Sequence, residues 1–143
     1  MKSRKSLIII SWAAVLLCMA VSFVLSAQKG DESQSLSDGL IFVTEFGFGS
    51  DIVRTCAHFL EYAGLSVLIY NALYHSCGSV RPFLSVFLSF LYAVSDEVHQ
   101  LFVEGRAAQL SDIIIDSFGA ASGIAVLTVL IIIFRKIKRR NRE

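Results

Sequence analysis

Residues 7–27 read LIIISWAAVLLCMAVSFVLSA, without one charged side chain, and Lys2, Arg4 and Lys5 stand just before them. At about 1.5 Å rise per residue, such a run coiled as an α-helix covers a hydrocarbon core about 30 Å thick. It is longer than the apolar region of a secretory signal peptide, about 7–15 residues, and its exit at Ala27 lacks an A-x-A pattern. It reads as a retained anchor. Cleavage there would leave the orientation of the rest unchanged.

Three more apolar runs follow. With the first they predict an all-α integral membrane protein with four transmembrane helices at about 7–27, 54–75, 82–103 and 112–134. Pro82 suits the first position of the third, and the fourth ends abruptly at Arg135. Loops at 28–53 and 104–111 and a basic tail at 135–143 complete a single domain. Composition agrees: of 143 residues, 55% are hydrophobic and only 17% charged, against about half and a quarter in soluble domains. One proline and nine glycines exclude collagen-like or proline-rich sequence. The lysines and arginines gather in tails beside apolar runs and not on a folded face, which excludes a nucleic-acid binder.

Lysine and arginine also set the orientation. Three basic residues precede the first span, and Arg135, Lys136, Lys138, Arg139, Arg140 and Arg142 follow the last. Both termini are therefore expected in the cytoplasm, as an even number of spans requires. The first loop agrees with an outer position, since Lys29 faces Asp31, Glu32, Asp38, Glu45 and Asp51 there. Leu36, Leu40, Val43 and Phe46 recur at helical intervals in that loop, with Ser37 or Asp38 placed to cap. This predicts a short amphipathic helix on the outer leaflet. The +1 net charge is thus a balance between basic tails and an acidic outer face.

Polar residues inside the spans are costly, about 2.5–3.5 kcal/mol for a charge at mid-bilayer, and are functional candidates by default. Arg54, His58 and Glu61 share a helical face at the start of the second span. Asp96, His99 and Gln100 share a face at the end of the third, with Glu97 about 100° around the helix. Arg106 follows in the loop. Asp112 and Asp116 open the fourth span, continuing into Gly119 and Gly123, a G-x-x-x-G face suited to close helix approach. With the orientation above, all of these meet near the extracytoplasmic leaflet. A purely structural alternative has Arg54 and Arg106 neutralising Glu61, Asp96 and Asp116 to pin the helices together; Glu104 reads as an ordinary interfacial charge. Cys18, Cys56 and Cys77 show no metal spacing, and Cys56 and Cys77 lie about 30 Å apart along one helix, beyond disulfide reach.

The string from Ser95 through Asp96, Glu97, His99, Gln100 and Arg106 to Asp112, Asp116, Gly119 and Gly123 resembles the signature of the VanZ-like family of bacterial membrane proteins. The motif of Arg54, His58, Phe59, Glu61 and Tyr62 resembles that family's second span. Phe23 to Gln28, with Ser33 and Ser37, is similar to the segment after its first. The chain departs from the pattern at Glu104, where many members carry proline before Gly-Arg. The resemblance covers nearly the whole chain and implies a Gram-positive-type plasma membrane, with the polar cluster on the cell-wall side. The family takes its name from a protein linked to low-level resistance to the glycopeptide teicoplanin, so an effect on such susceptibility is among the expectations.

Three functions compete. In the first, Arg54 and Arg106 bind an anionic lipid or cell-wall precursor head group, which guanidiniums suit by donating paired hydrogen bonds. The other members of the cluster, His58, Glu61, Asp96, Glu97, His99, Gln100, Asp112 and Asp116, then shape the pocket. In the second, a membrane-surface hydrolase or transferase acts on a lipid-linked substrate. His58 or His99 is its base, Glu61 or Asp96 orients that base, and the arginines stabilise an anionic transition state. A divalent metal on imidazole and carboxylate is a variant of this reading, although no motif specifies one. The third, a transporter or proton relay, is disfavoured because the inner halves of the spans offer only Tyr62, Tyr70 and Asn71 as a polar trail.

Overall fold

The computed structural model describes residues 4–27, 50–103, 105–106 and 108–141. They form four α-helices: α1 (Arg4–Ser26), α2 (Ser50–Cys77), α3 (Pro82–Gln100) and α4 (Leu110–Arg140). The expected outer helix around Leu36 to Phe46, together with Glu104, falls outside the described residues.

The four expected spans are four helices, with corrected ends. The α2 helix starts a turn before Arg54. It ends where Gly78 takes φ +68°, a left-handed conformation open to glycine, and donates its N–H to the Tyr74 carbonyl at 2.9 Å. Pro82 starts α3, preceded by Arg81 at φ −132° and ψ 65°, outside the helical region. The helix closes at Gln100, three residues earlier than its apolar run; beyond it the Phe102 and Val103 amides reach only three residues back, to His99 and Gln100. Gly105, at φ +76°, turns the chain toward α4. That helix does not stop at Arg135 but continues through the basic segment to Arg140, so most of the expected tail is helical. Its 31 residues span about 46 Å, more than a bilayer core.

Three of the helices are long and apolar enough to cross a membrane on length and composition alone; α3 is not among them. Its last turns carry Asp96, Glu97, His99 and Gln100, which lower its mean hydropathy. Large apolar side chains cover the outside of the bundle, Phe83 at 90% exposed and Ile9, Leu60 and Phe134 each at 67%, as lipid contact requires. The chain is a multi-pass membrane protein.

Small residues set the interior. The centre is Val15, Tyr62, Leu65, Ile69, Ala72, Leu73 and Ala93. Gly119 and Gly123 of α4 lie directly on the α2 backbone. A Cβ on Gly119 would press into the Phe59 carbonyl group, 3.1 Å from the Phe59 Cα, and one on Gly123 would meet Ala63 the same way, 2.9 Å from its Cα. The Ser66 hydroxyl crosses that seam to the Ala120 carbonyl at 2.9 Å. On α3 the equivalent small face is Ser85, Ser89 and Ala93, all fully buried. The two serine hydroxyls each return to the carbonyl four residues back, which removes the cost of burying them. The serine face on α3 was not singled out from the sequence. At the opposite end from the polar cluster, Trp12 donates its Nε1–H to Ser76 at 3.0 Å and Asn71 donates to Ser11 at 3.2 Å, tying α1 to α2.

Candidate functional site

One end of the bundle holds the last turn of α1, the first turns of α2, the last turns of α3 and the first turns of α4. The up-down order of four helices brings these together, and with them Arg54, His58, Glu61, Asp96, Glu97, His99, Gln100, Arg106, Asp112 and Asp116. Periodicity had suggested one shared cluster. The structure divides it among three neighbourhoods.

The first is the seam between α2 and α4. Arg54, Thr55 and His58 of α2 and Asp112, Ile115 and Asp116 of α4 line a small cavity of about 20 Å³, room for one water-sized group. Asp116 is 1% exposed, and neither carboxylate oxygen has a hydrogen-bond partner. Its neighbour across the seam is His58, with Nδ1 at 3.8 Å from Oδ1, too far for a hydrogen bond. The structural alternative, in which an arginine neutralises Asp116, is corrected here: the side chain that meets it is the imidazole.

The second neighbourhood faces α1, which the sequence had not brought into the site. Glu61 does not pair with Arg54 although both occupy one broad face of α2. It accepts a short hydrogen bond from the Ser22 hydroxyl of α1. Beside it the Tyr92 hydroxyl donates to the Met19 carbonyl at 2.6 Å, and the His99 ring packs on Phe23 with centroids 4.2 Å apart. Tyr62, 1% exposed, lies between these groups and the core, its ring 6.0 Å from that of Tyr92. Ser22 and Tyr92 were missed because a lone serine or tyrosine in an apolar run carries no sign of its neighbour.

The third is the turn from α3 to α4. Glu97, read as lying off the face of Asp96, is as deeply buried as Asp96 itself, at 2% and 4% exposed. Its Oε2 accepts the backbone N–H of Gln109 at 2.8 Å, which fastens the turn onto the end of α3. Asp96 accepts a long bond from Gln100 Nε2 at 3.4 Å. Asp96 Oδ1, Glu97 Oε1 and Gln100 Oε1 are buried without a partner. Arg106 is half-buried on this turn. Burial, and next the Arg54 guanidinium, push its pKa below the usual arginine value; Asp96, Glu97 and Asp112 act in the opposite direction. Arg54 and Asp112 of the α2–α4 seam are thus among the charges that act on Arg106, together with Asp96 and Glu97 of the turn.

Among the described residues, no group of three or more histidines, cysteines, aspartates or glutamates is disposed to hold a metal ion. Cys18, Cys56 and Cys77 are free thiols.

A family model described as VanZ/LLP1 matches residues 11–134. The chain belongs to the VanZ/LLP1 family. The match takes in the whole polar end, from Ser22 on α1 to Asp116 and the two packing glycines on α4, and leaves out the first turns of α1 and the basic end of α4. No curated protein and no solved structure matches the chain.

Proposed function

We propose that this VanZ/LLP1 protein is a plasma-membrane recognition protein, both termini cytoplasmic, whose polar end faces the extracytoplasmic side and binds an anionic lipid or cell-wall precursor head group. The observation that carries this is the pair of guanidiniums, Arg54 on the cavity wall and Arg106 on the turn beside it, near enough to repel each other. Two like charges held together at the rim of an apolar bundle suit a phosphate, which relieves their repulsion and accepts paired hydrogen bonds. The sidedness rests on the basic termini. An effect on teicoplanin-type glycopeptide susceptibility follows if the bound group is a precursor or lipid that such drugs must reach.

The test is native mass spectrometry of lipids co-purified with wild type and Arg106→Ala. A phosphate-bearing lipid held by wild type and lost from the variant is the expected result; identical lipid content in both overturns the reading.

A second reading is favoured by the His58–Asp116 approach at 3.8 Å, which resembles a base and its orienting carboxylate. In that reading the polar end is a membrane-surface enzyme acting on a lipid-linked substrate, with His58 as base. His99, packed on Phe23, is less well placed for this role. Turnover of a lipid-linked phosphate substrate, abolished by His58→Ala, would establish it. Stoichiometric metal in purified protein, lost in His58→Ala, would establish the metal-dependent form.

A further inference from the structure

Carboxylates outnumber guanidiniums at the polar end, which a purely anionic ligand does not account for. Glu61 and Glu97 each have a donor, Ser22 and the Gln109 amide. Asp116 does not. It is 1% exposed, both its oxygens lack a hydrogen-bond partner, and it lines the α2–α4 cavity together with Asp112 and Arg54. His58 Nδ1 stands off at 3.8 Å and is itself without a hydrogen bond. Leaving a buried carboxylate unsatisfied costs on the order of several kcal/mol, so the site is built for a group that supplies N–H donors and positive charge.

We infer that the cavity between His58, Asp112 and Asp116 takes a primary ammonium, so that the bound head group carries an amine beside its phosphate, as an aminophospholipid does. This rests on the phosphate-binding part of the head-group reading above and adds an amine to the group that is bound. Size allows it: a cavity of about 20 Å³ leaves room for a water-sized group such as –NH3⁺, and a trimethylammonium, whatever its fit, has no N–H to give the carboxylates. Charge fits as well, since Arg54 borders the cavity and can hold the phosphate while Asp112 and Asp116 accept the ammonium protons. Three N–H donors on one nitrogen can serve Asp116 and Asp112 together. The ligand then bridges α2 and α4, with its acyl chains lying along the exposed apolar surface of the bundle.

The test offers purified protein an equimolar mixture of phosphatidylethanolamine, phosphatidylcholine and phosphatidylglycerol with identical acyl chains, and reads the retained lipids by native mass spectrometry. Wild type is expected to retain phosphatidylethanolamine about tenfold over phosphatidylcholine, the effect of one charge-assisted hydrogen bond. Asp116→Asn, which keeps the shape and removes the charge, is expected to abolish that preference while still retaining phosphatidylglycerol. Arg106→Gln should weaken all three. Equal retention of phosphatidylethanolamine and phosphatidylcholine by wild type, with phosphatidylglycerol still lost in Arg106→Gln, overturns the ammonium site and leaves the head-group reading standing. No selective retention of any lipid, in wild type and Arg106→Gln alike, overturns both. The wild-type comparison decides the matter even if Asp116→Asn fails to fold.

Discussion

Adding one methyl group at Gly119 tests the packing that holds the polar end together. An ideal Cβ there lands on the Phe59 carbonyl group of α2, with Phe59 C at 3.0 Å and Cα at 3.1 Å behind the oxygen. These are backbone atoms in mid-helix, so no rotamer change relieves the contact and the two helices must separate. Overpacking of this kind costs about 1–3 kcal/mol. Alanine regains about 1 kcal/mol over glycine in helix propensity, so the net loss is up to about 2 kcal/mol. For a chain of this length that lowers Tm by up to roughly 8 °C. Gly64→Ala supplies the control: nothing lies within 4 Å of its Cβ position, so only the propensity gain applies and Tm should hold or rise. The two variants differ in one methyl each and should shift Tm in opposite directions, measured by thermal unfolding in one detergent. Gly123→Ala, which meets Ala63 in the same way, should behave like Gly119→Ala. The double variant should cost less than the sum, because a single separation of α2 from α4 relieves both contacts. Since Asp116 is one turn from Gly119 and His58 adjoins Phe59, that separation should also weaken lipid retention. A Gly119→Ala protein as stable as Gly64→Ala would refute the close α2–α4 approach and, with it, the geometry given for the cavity.

Other predictions follow from single contacts. Ser22→Ala leaves Glu61 without the donor that α1 supplies, and should destabilise by about 1–3 kcal/mol in denaturant titration; combined with Glu61→Ala the losses should be markedly less than additive. Tyr92→Phe removes the hydroxyl bond to the Met19 carbonyl and should cost about 1 kcal/mol, and no change in stability would refute that link between α1 and α3. In a variant with Cys18, Cys56 and Cys77 changed to serine, a cysteine placed at Ser111 should react with a membrane-impermeant maleimide in intact cells, and one at Lys138 should not. The reverse pattern would invert the proposed orientation.

The number of helices and the gathering of polar groups at one end were legible because both depend on local quantities. Run length fixes what can span a bilayer, and alternating direction fixes which ends share a level. Gly119 and Gly123 were legible as a packing face for the same reason, being four residues apart on one helix. Their partner was not. Nothing in the sequence says that they lie against Phe59 and Ala63, because lipid-facing and protein-facing surfaces are both apolar and the usual contrast between a helix's inner and outer faces is faint.

The same limit explains the residues placed differently. Periodicity put Arg54, His58 and Glu61 on one face, which is right for α2 taken alone. How that face is turned toward its neighbours decides that His58 meets Asp116 while Glu61 meets Ser22 of α1. Glu97 is buried because the chain after Gly105 folds back so that the Gln109 amide reaches it, a contact across a turn that no helical repeat encodes. Run lengths and the places of the charges thus set that four helices form, where each begins and ends within about a turn or two, and which polar residues share a level. Which of them touch is a matter of packing. The rotation of each helix about its axis is set by small-residue contacts with its neighbours, and those depend on the whole bundle at once.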